Sequence, residues 1–220
     1  AAHRGLRLAC ARRDGCPARR LGVDPVDLVR RFSARLRARP ITGVAPDGDG
    51  TPTRVRLDEL AFAQLVGSTY YHYGVWRDLL AAVVAARAGD HAPILRLAAE
   101  TVVLDAGGED PPTFSEAAYL AVICHDYPQP WRPETPLAGR AAEAARLIGS
   151  YPPAAFSPLS PQAWTGVPYE GVIACLRWPS PADSDTPEPP GAVYPRVPTL
   201  VLNGDLDTIT TSAQAREAAR

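Results

Sequence analysis

The amino-acid sequence predicts an α/β chain that is mostly helical and carries one late β-strand. Apolar residues recur at helical spacing before residue 150, as at Val26, Val29, Phe32 and Leu36. Near the end, the run Leu200-Val201-Leu202 is typical of a buried strand in a parallel sheet. Such a strand requires neighbours on both edges and helices on both faces. We therefore expect the chain to be a fragment of a larger α/β fold.

Helix-start and helix-stop residues place the first elements. Asp24-Pro25 indicates a helix start, with Asp as the N-cap and Pro at the first helical position, and Pro40 ends that helix. Residues 41–56 are rich in Gly, Pro and Asp, which predicts a loop. A second helix is expected from Asp58 to Val66.

Four more helices are expected before residue 150. The third is stopped by Gly89, and the fourth covers residues 92–104. Thr113 and Glu116 have the spacing of a capping box, which predicts a fifth helix running through Cys124. The sixth opens at Thr135-Pro136 and is stopped at Gly149.

Proline dominates the segments that follow. Residues 150–170 are predicted to be irregular, and residues 179–198 contain seven Pro and resemble an extended connector. The strand is predicted over residues 197–203, and Ser212 is predicted to cap a short final helix.

Charge and hydropathy exclude several classes of protein. The net charge of −1 argues against a polyanion-binding protein, although residues 1–40 contain eleven Arg and three Asp. No nucleic-acid recognition motif accompanies these Arg residues, so we interpret them as solvated helix faces. No apolar run approaches the roughly 18 residues that a membrane span needs.

The four cysteines favour an oxidising compartment. Cys10 and Cys16 flank Gly15, which lets the chain turn back, whereas Cys124 and Cys175 are far apart in the sequence. Four cysteines allow three pairings, of which we favour Cys10–Cys16 with Cys124–Cys175. Reduced, buried thiols are the alternative. No close Cys or His pairs have zinc-finger spacing, so no metal site is expected.

Asp207 is the principal catalytic candidate. It follows the predicted strand and a Gly turn, and functional groups gather at the carboxyl ends of strands in α/β sheets. Asp205 is the competing candidate, with a backbone hydrogen bond in the turn as its expected role. The alternative for both carboxylates is that they only shape the turn.

The sequence holds no complete Ser-His-Asp triad. A Gly-x-Ser-x-Gly motif is absent, and none of the four His follows Asp207. His125 and Asp126 are sequence neighbours on a helix and are not expected to face each other. Glu116 or Asp126 could present a carboxylate to a substrate amine; a disulfide anchor with a solvated helix end is the alternative.

Three motifs resemble one enzyme family. They are residues 121–128 (AVICHDYP), residues 175–179 (CLRWP) and residues 198–208 (PTLVLNGDLDT). With these motifs the chain resembles the secreted actinobacterial α/β-hydrolases of the tripeptidyl aminopeptidase and proline iminopeptidase type. Residues 40–110 match more loosely, and Thr210-Thr211 stands where many relatives have Thr-Pro.

The resemblance implies a fold and an activity. Residues 1–170 would be mainly a helical cap, and residues 171–220 would begin a tripeptidyl aminopeptidase-like C-terminal core segment. Asp207 would be the catalytic acid, and Cys124 would pair with Cys175. The family releases short N-terminal pieces from peptide substrates through an acyl-enzyme and needs no cofactor.

The nucleophilic Ser and the base His lie outside this sequence, so the resemblance implies an inactive fragment of a secreted or cell-envelope peptidase. An esterase on the same fold is the nearest alternative. A non-catalytic helical binding module, with the Arg-rich start docking an acidic partner, is the alternative from another class.

Overall fold

The described residues form mostly helices, together with one antiparallel hairpin. A computed structural model describes residues 2–67, 73–106, 115–167, 172–179, 191, 193, 195, 197–207 and 210–219. The elements in chain order are α1 (Ala2–Ala11), α2 (Pro17–Arg20), α3 (Pro25–Ala38), β1 (Ile41–Pro46), β2 (Pro52–Leu57), α4 (Glu59–Gly67), α5 (Tyr73–Arg87), α6 (Ala92–Ala106), α7 (Glu116–Asp126), α8 (Leu137–Ser150), a 3-10 helix (Pro153–Phe156), α9 (Pro161–Gly166), α10 (Val172–Cys175) and α11 (Ser212–Ala218).

The six predicted helices correspond to α3 through α8. At the start of α3, the Asp24 carboxylate accepts hydrogen bonds from the backbone N–H groups of Val26 and Asp27, at 2.8 and 3.3 Å. These bonds satisfy donors that the first helical turn leaves free, and Pro25 has no N–H to satisfy. The cap predicted from Asp24-Pro25 is therefore confirmed.

Two of the predicted caps are corrected by one or two positions. The hydroxyl of Ser115 caps α7 by accepting from the Ala118 N–H at 3.2 Å, whereas Thr113 lies outside the described residues. Thr211, rather than Ser212, caps α11 and forms a capping box with Gln214. Ser and Thr neighbours can both serve as N-caps, so the sequence pattern leaves the choice open.

The predicted loop over residues 41–56 is wrong, because β1 and β2 form a hairpin. Ile41 pairs with Leu57 and Val44 pairs with Arg54 in antiparallel register. The Asp47 carboxylate accepts from the N–H groups of Asp49 and Thr51, at 3.0 and 2.9 Å, and so closes the turn. The run Asp47-Gly48-Asp49-Gly50 lies in this turn, whereas Gly43 lies within β1.

One large apolar cluster occupies the region of α1 to α6. Its fully buried side chains include Leu6, Phe32, Phe62 and Leu79. The inner face of the hairpin joins it, and so does α9, which packs against α4. Phe32 and Phe62 contact edge to face, with ring centroids 5.2 Å apart. The predicted irregular segment 150–170 therefore includes a helix that belongs to this cluster.

A smaller cluster lies around the Cys124–Cys175 disulfide. Trp131, Ala144 and Cys175 are buried in it. Side chains from α7, α8 and α10 pack against these three residues. The cluster includes residues on both sides of the predicted domain boundary at residue 170, and that boundary stays a prediction.

The predicted strand over residues 197–203 is not formed. Those residues have no regular secondary structure, and the described sheet contains only β1 and β2. The side chains of Leu200 and Leu202 are 81% and 84% exposed. A strand needs a neighbouring strand for its backbone hydrogen bonds, and this segment has none among the described residues. The mixed composition of helix and sheet is compatible with an α/β class.

Both favoured disulfides are present. Cys10 bonds to Cys16 and Cys124 bonds to Cys175, with Cα–Cα distances of 5.2 and 5.1 Å. This pairing fits an oxidising compartment. Within the described part of the chain, no helix combines the length and apolar character that a membrane crossing requires.

Candidate functional site

Asp207 lies in a turn between the exposed apolar segment and α11. Its Oδ1 accepts from the Thr210 N–H at 2.9 Å, and its Oδ2 accepts from the Thr210 hydroxyl at 2.5 Å. Both carboxylate oxygens of Asp207 therefore accept from Thr210. Asp207 is half-buried. The geometry suits a fixed acceptor, and it equally suits a residue that shapes the turn.

Asp205 is exposed and interacts with a distant part of the chain. Its carboxylate forms an ion pair with Arg12, near the C-terminal end of α1. The hydrogen bond from Arg12 holds the pKa of Asp205 below its usual value. Arg12 thereby joins the residues before α11 to the first helix. The two neighbouring carboxylates, Asp205 and Asp207, therefore have different partners.

His125 and Asp126 contact each other, which corrects the expectation that they would not. The Nδ1 atom of His125 lies 2.7 Å from Oδ1 of Asp126. Both residues occupy the last turn of α7, where Tyr127 already has extended backbone. Side chains at a helix end are less constrained than those within the helix. The Asp126 carboxylate is therefore partly engaged by its neighbour.

Glu116 and Asp126 lie at opposite ends of α7. Glu116 is the first residue of the helix and Asp126 the last, so their Cα atoms are about 15 Å apart at 1.5 Å per residue. The side chain of Glu116 lies outside the described residues. One substrate amine cannot contact both backbone positions, so the two remain separate candidates.

The disulfide next to His125 is supported by a buried cation. Arg140 on α8 is 5% exposed and donates to the carbonyl oxygens of Cys175 and Trp178, at 3.3 and 2.5 Å. Its guanidinium also lies over the Trp131 ring, 5.5 Å from the centroid. The Cys124 and Cys175 motifs noted in the sequence thus lie in one cluster. Arg140 of α8 holds the residues that follow α10 through its hydrogen bond to the Trp178 carbonyl.

A buried carboxylate that the sequence analysis missed lies at the start of α4. Glu59 accepts from the hydroxyls of Ser33 and Ser160, at 2.7 and 2.9 Å, and forms an ion pair with Arg37 at 2.6 Å. Burial alone would raise its pKa. The hydrogen bonds from Arg37 and the two Ser residues outweigh burial and lower the pKa of Glu59 to about 2.

The hydrogen bonds and the ion pair of Glu59 link helices α3, α4 and α9, and the cluster does not present a group for catalysis. Ser33 and Arg37 lie four residues apart on one face of α3, which is a weak signal in the sequence. Ser160, the N-cap of α9, lies 101 residues from Glu59 along the chain. No local pattern could have connected them.

No protein-family model, curated protein or solved structure matches the chain. The hydrolase resemblance therefore stays a prediction from the three motifs.

Proposed function

We propose that this chain forms the cap and the acid-bearing segment of a secreted serine hydrolase that releases short N-terminal pieces from peptides. Asp207 would be the acid that orients the base. The nucleophilic Ser and the base His would come from residues outside these 220. The single observation that supports this role most is the position of Asp207, next to an exposed apolar segment and held by Thr210.

The contacts of Asp207 suit the work of a triad acid. A triad carboxylate accepts the Nδ1–H of the base, fixes its tautomer and stabilises the imidazolium that forms. Thr210 donates to both carboxylate oxygens and so limits rotation of the group. Asp205 is already paired with Arg12, which makes it the weaker candidate.

The exposed apolar segment is consistent with the same proposal. Leu200 and Leu202 present apolar side chains to solvent, and a buried strand of a parallel sheet would cover both. The proposal requires residues 197–203 to add to the sheet of the hydrolase core. The base would then approach Asp207 from the carboxyl end of that sheet.

The test is an amide-hydrolysis assay on the product of the reading frame that contains this sequence, with Asp207→Asn compared to Asp205→Asn. Asparagine at position 207 would hold the base in the wrong tautomer, so kcat for aminoacyl and tripeptidyl anilides should fall by about 10⁴. Asp205→Asn loses an exposed ion pair and should change kcat by less than about tenfold.

Equal effects of the two substitutions would overturn the assignment of Asp207. A protein that cleaves only acyl esters would be the esterase alternative. No hydrolysis of either substrate class, together with no labelling by a fluorophosphonate, would exclude a serine hydrolase and leave the binding-module alternative.

A second assay tests the amine-binding candidates. If Glu116 or Asp126 binds the free amino end of the substrate, replacing that residue with Ala should raise KM by about tenfold, because one charge-assisted hydrogen bond is lost. The same substitution should leave kcat within about twofold of the parent value. N-acetylated substrates, which lack the charged amine, should show no difference between variant and parent. An unchanged KM in both variants would exclude both residues.

A further inference from the structure

A cleft lies between the first helix and the start of the third. Its volume is about 320 Å³. Residues of α1, of α2 and of the turn into α3 line it, among them Arg7, Cys10, Ala11, Arg19, Val23 and Pro25. The cleft therefore combines two cationic side chains with a wall of small apolar groups.

Two hydrogen bonds hold both guanidinium groups at this cleft. Nε of Arg7 donates to Oδ2 of Asp24 at 2.8 Å, and Asp24 stands between two wall residues along the chain. Nη2 of Arg19 donates to the carbonyl oxygen of Ala11, itself a wall residue, at 3.3 Å. Measured contacts thus place each cation beside the apolar wall.

The Cys10–Cys16 disulfide fixes the two sides of the cleft relative to each other. Cys10 belongs to α1, Cys16 directly precedes α2, and the two residues are 5% and 1% exposed. The bond therefore links the helix that carries Arg7 to the helix that carries Arg19. Groups that are held in place before binding lose less conformational freedom when a ligand binds.

Arg19 is the cation that is left for an anionic ligand. Arg7 already forms an ion pair with Asp24. Arg19 forms no ion pair with any residue that the structure describes, and its bond to the Ala11 carbonyl uses only part of its donor capacity. Two cations and one carboxylate leave a single positive charge at the cleft, which one negative charge would neutralise.

The charge and the wall together select the ligand class. A guanidinium binds a carboxylate through paired N–H groups, and a carboxylate carries one negative charge. A phosphate monoester carries about −1.5 to −2 at neutral pH and matches the cleft less well. The apolar wall favours an anion that carries hydrocarbon. The volume is at the lower end of the roughly 300–1,000 Å³ of small-molecule sites, so the apolar group must be small.

We propose that this cleft binds a carboxylate that carries a small apolar group. The Arg19 guanidinium binds the carboxylate, and Arg7 donates a further hydrogen bond. The apolar group lies against Ala11, Val23 and Pro25. The same chemistry occurs in a free branched-chain acid and in the C-terminal residue of a peptide. The proposal does not rest on the proposed hydrolase, because the catalytic acid takes no part in it and its test measures binding alone.

The test is a titration of the isotope-labelled 220-residue chain with isovalerate, followed by backbone NMR. The amides of Ala11 and Val23 should shift and saturate, and isovaleramide, which lacks the charge, should bind at least about tenfold more weakly. Arg19→Gln should weaken isovalerate binding by about tenfold or more. The matched control is Arg20→Gln. Arg20 is the next residue of α2, is also exposed and does not line the cleft, so the affinity should stay within about twofold.

A second pair of substitutions tests the apolar wall without changing charge. Ala11 is exposed at the end of α1, so Ala11→Leu should fold while its side chain occupies the cleft, and isovalerate should bind at least about tenfold more weakly. Ala38→Leu makes the same change at an exposed position of α3, about 20 Å along the helix from Pro25, and should leave the affinity unchanged. Spectra of the unliganded variants report whether the fold is kept. Unchanged binding in a folded Ala11→Leu variant would overturn the proposal.

The source of the carboxylate is decided by a matched peptide pair. N-acetyl-Ala-Ala-Leu with a free carboxylate, binding at least about tenfold more tightly than both isovalerate and the same peptide with a C-terminal amide, would identify a peptide C-terminus as the ligand. An affinity equal to or weaker than that of isovalerate would identify a free acid. Inorganic phosphate binding as tightly as isovalerate, or equal losses in Arg19→Gln and Arg20→Gln, would overturn the proposal.

Discussion

The two apolar clusters of this molecule are held together in different ways. The large cluster draws fully buried side chains from six helices and a hairpin, and it includes the edge-to-face contact of Phe32 with Phe62. The small cluster has three buried residues, and one of them, Cys175, belongs to a disulfide. A region that buries little apolar surface relies on other links, here a disulfide and the buried Arg140. The first region has a disulfide and the Glu59 contacts in addition to its extensive burial, whereas the second has little burial beyond its covalent and polar links.

The largest effect is expected in the large cluster. Phe62→Ala removes a fully buried ring and leaves a cavity, so it should lower the free energy of unfolding by about 4 kcal/mol. Urea unfolding measures the loss, and hydrogen exchange should rise first in α3 to α6. Val44→Ala, at a side chain that is 60% exposed, should change the free energy by less than about 0.5 kcal/mol. Similar losses in the two variants would contradict the assignment of the core.

Removal of the long-range disulfide should open the small cluster alone. The double variant Cys124→Ala/Cys175→Ala lacks a disulfide that joins residues 51 positions apart. The unfolded chain is then less constrained, so the local stability of the small cluster should fall by about 3 kcal/mol. Hydrogen exchange should rise in α7 and α10 and stay unchanged in α3 and α5. The control is Cys10→Ala with Cys16→Ala, where the separation is only 6 and the loop-entropy loss is smaller. Equal loss of protection in both clusters would show that they unfold together.

The Glu59 cluster should give a smaller and pH-dependent effect. The pKa of Glu59 is lowered to about 2 in the folded chain from an ordinary value of 4.5. Its ionised form therefore stabilises the fold above the unfolded pKa, and this contribution is lost as the pH falls from about 4.5 towards 2. Glu59→Gln should lower the free energy of unfolding by about 2 kcal/mol at neutral pH and flatten the acid side of the profile.

Glu100→Gln is the matched control for Glu59. Glu100 pairs with Arg96 on the surface of α6, and its loss should cost less than about 0.5 kcal/mol. Hydrogen exchange should also rise in α9 in Glu59→Gln, because the Ser160 hydroxyl loses its ionised partner. A Glu59→Gln variant with an unchanged acid profile would contradict the role of the ion pair with Arg37.

Helices could be predicted from local signals because their caps are local. Asp24 caps α3 with its own carboxylate, and the Asp24-Pro25 pair shows this directly in the sequence. Pro40 and Gly89 marked helix ends for similar reasons. The two disulfides could also be anticipated, because Cys10 and Cys16 are close along the chain and leave one pair over.

The hairpin could not be predicted in the same way. Its inward residues Ile41, Ala45, Val55 and Leu57 form a short alternation that Gly, Pro and Asp interrupt. The hairpin packs against α6, where Leu95 lies so close to Gly43 that a Cβ at that position would meet it at 2.5 Å. Contact with a helix some fifty residues later thus decides what the local composition leaves ambiguous.

Local residue chemistry by itself determined helices α3 to α8, their approximate ends, the Cys10–Cys16 disulfide and the turn that holds Asp207, because each depends on neighbours a few positions away. Only the tertiary structure decided the hairpin, the ion pair between Arg12 and Asp205 and the cluster around Glu59. The packing of the hairpin against α6 and the other two sets of contacts join residues that are far apart along the chain. The apolar run at 197–203 illustrates the same rule: its side chains have strand character, but a strand forms only where a neighbouring strand satisfies its backbone.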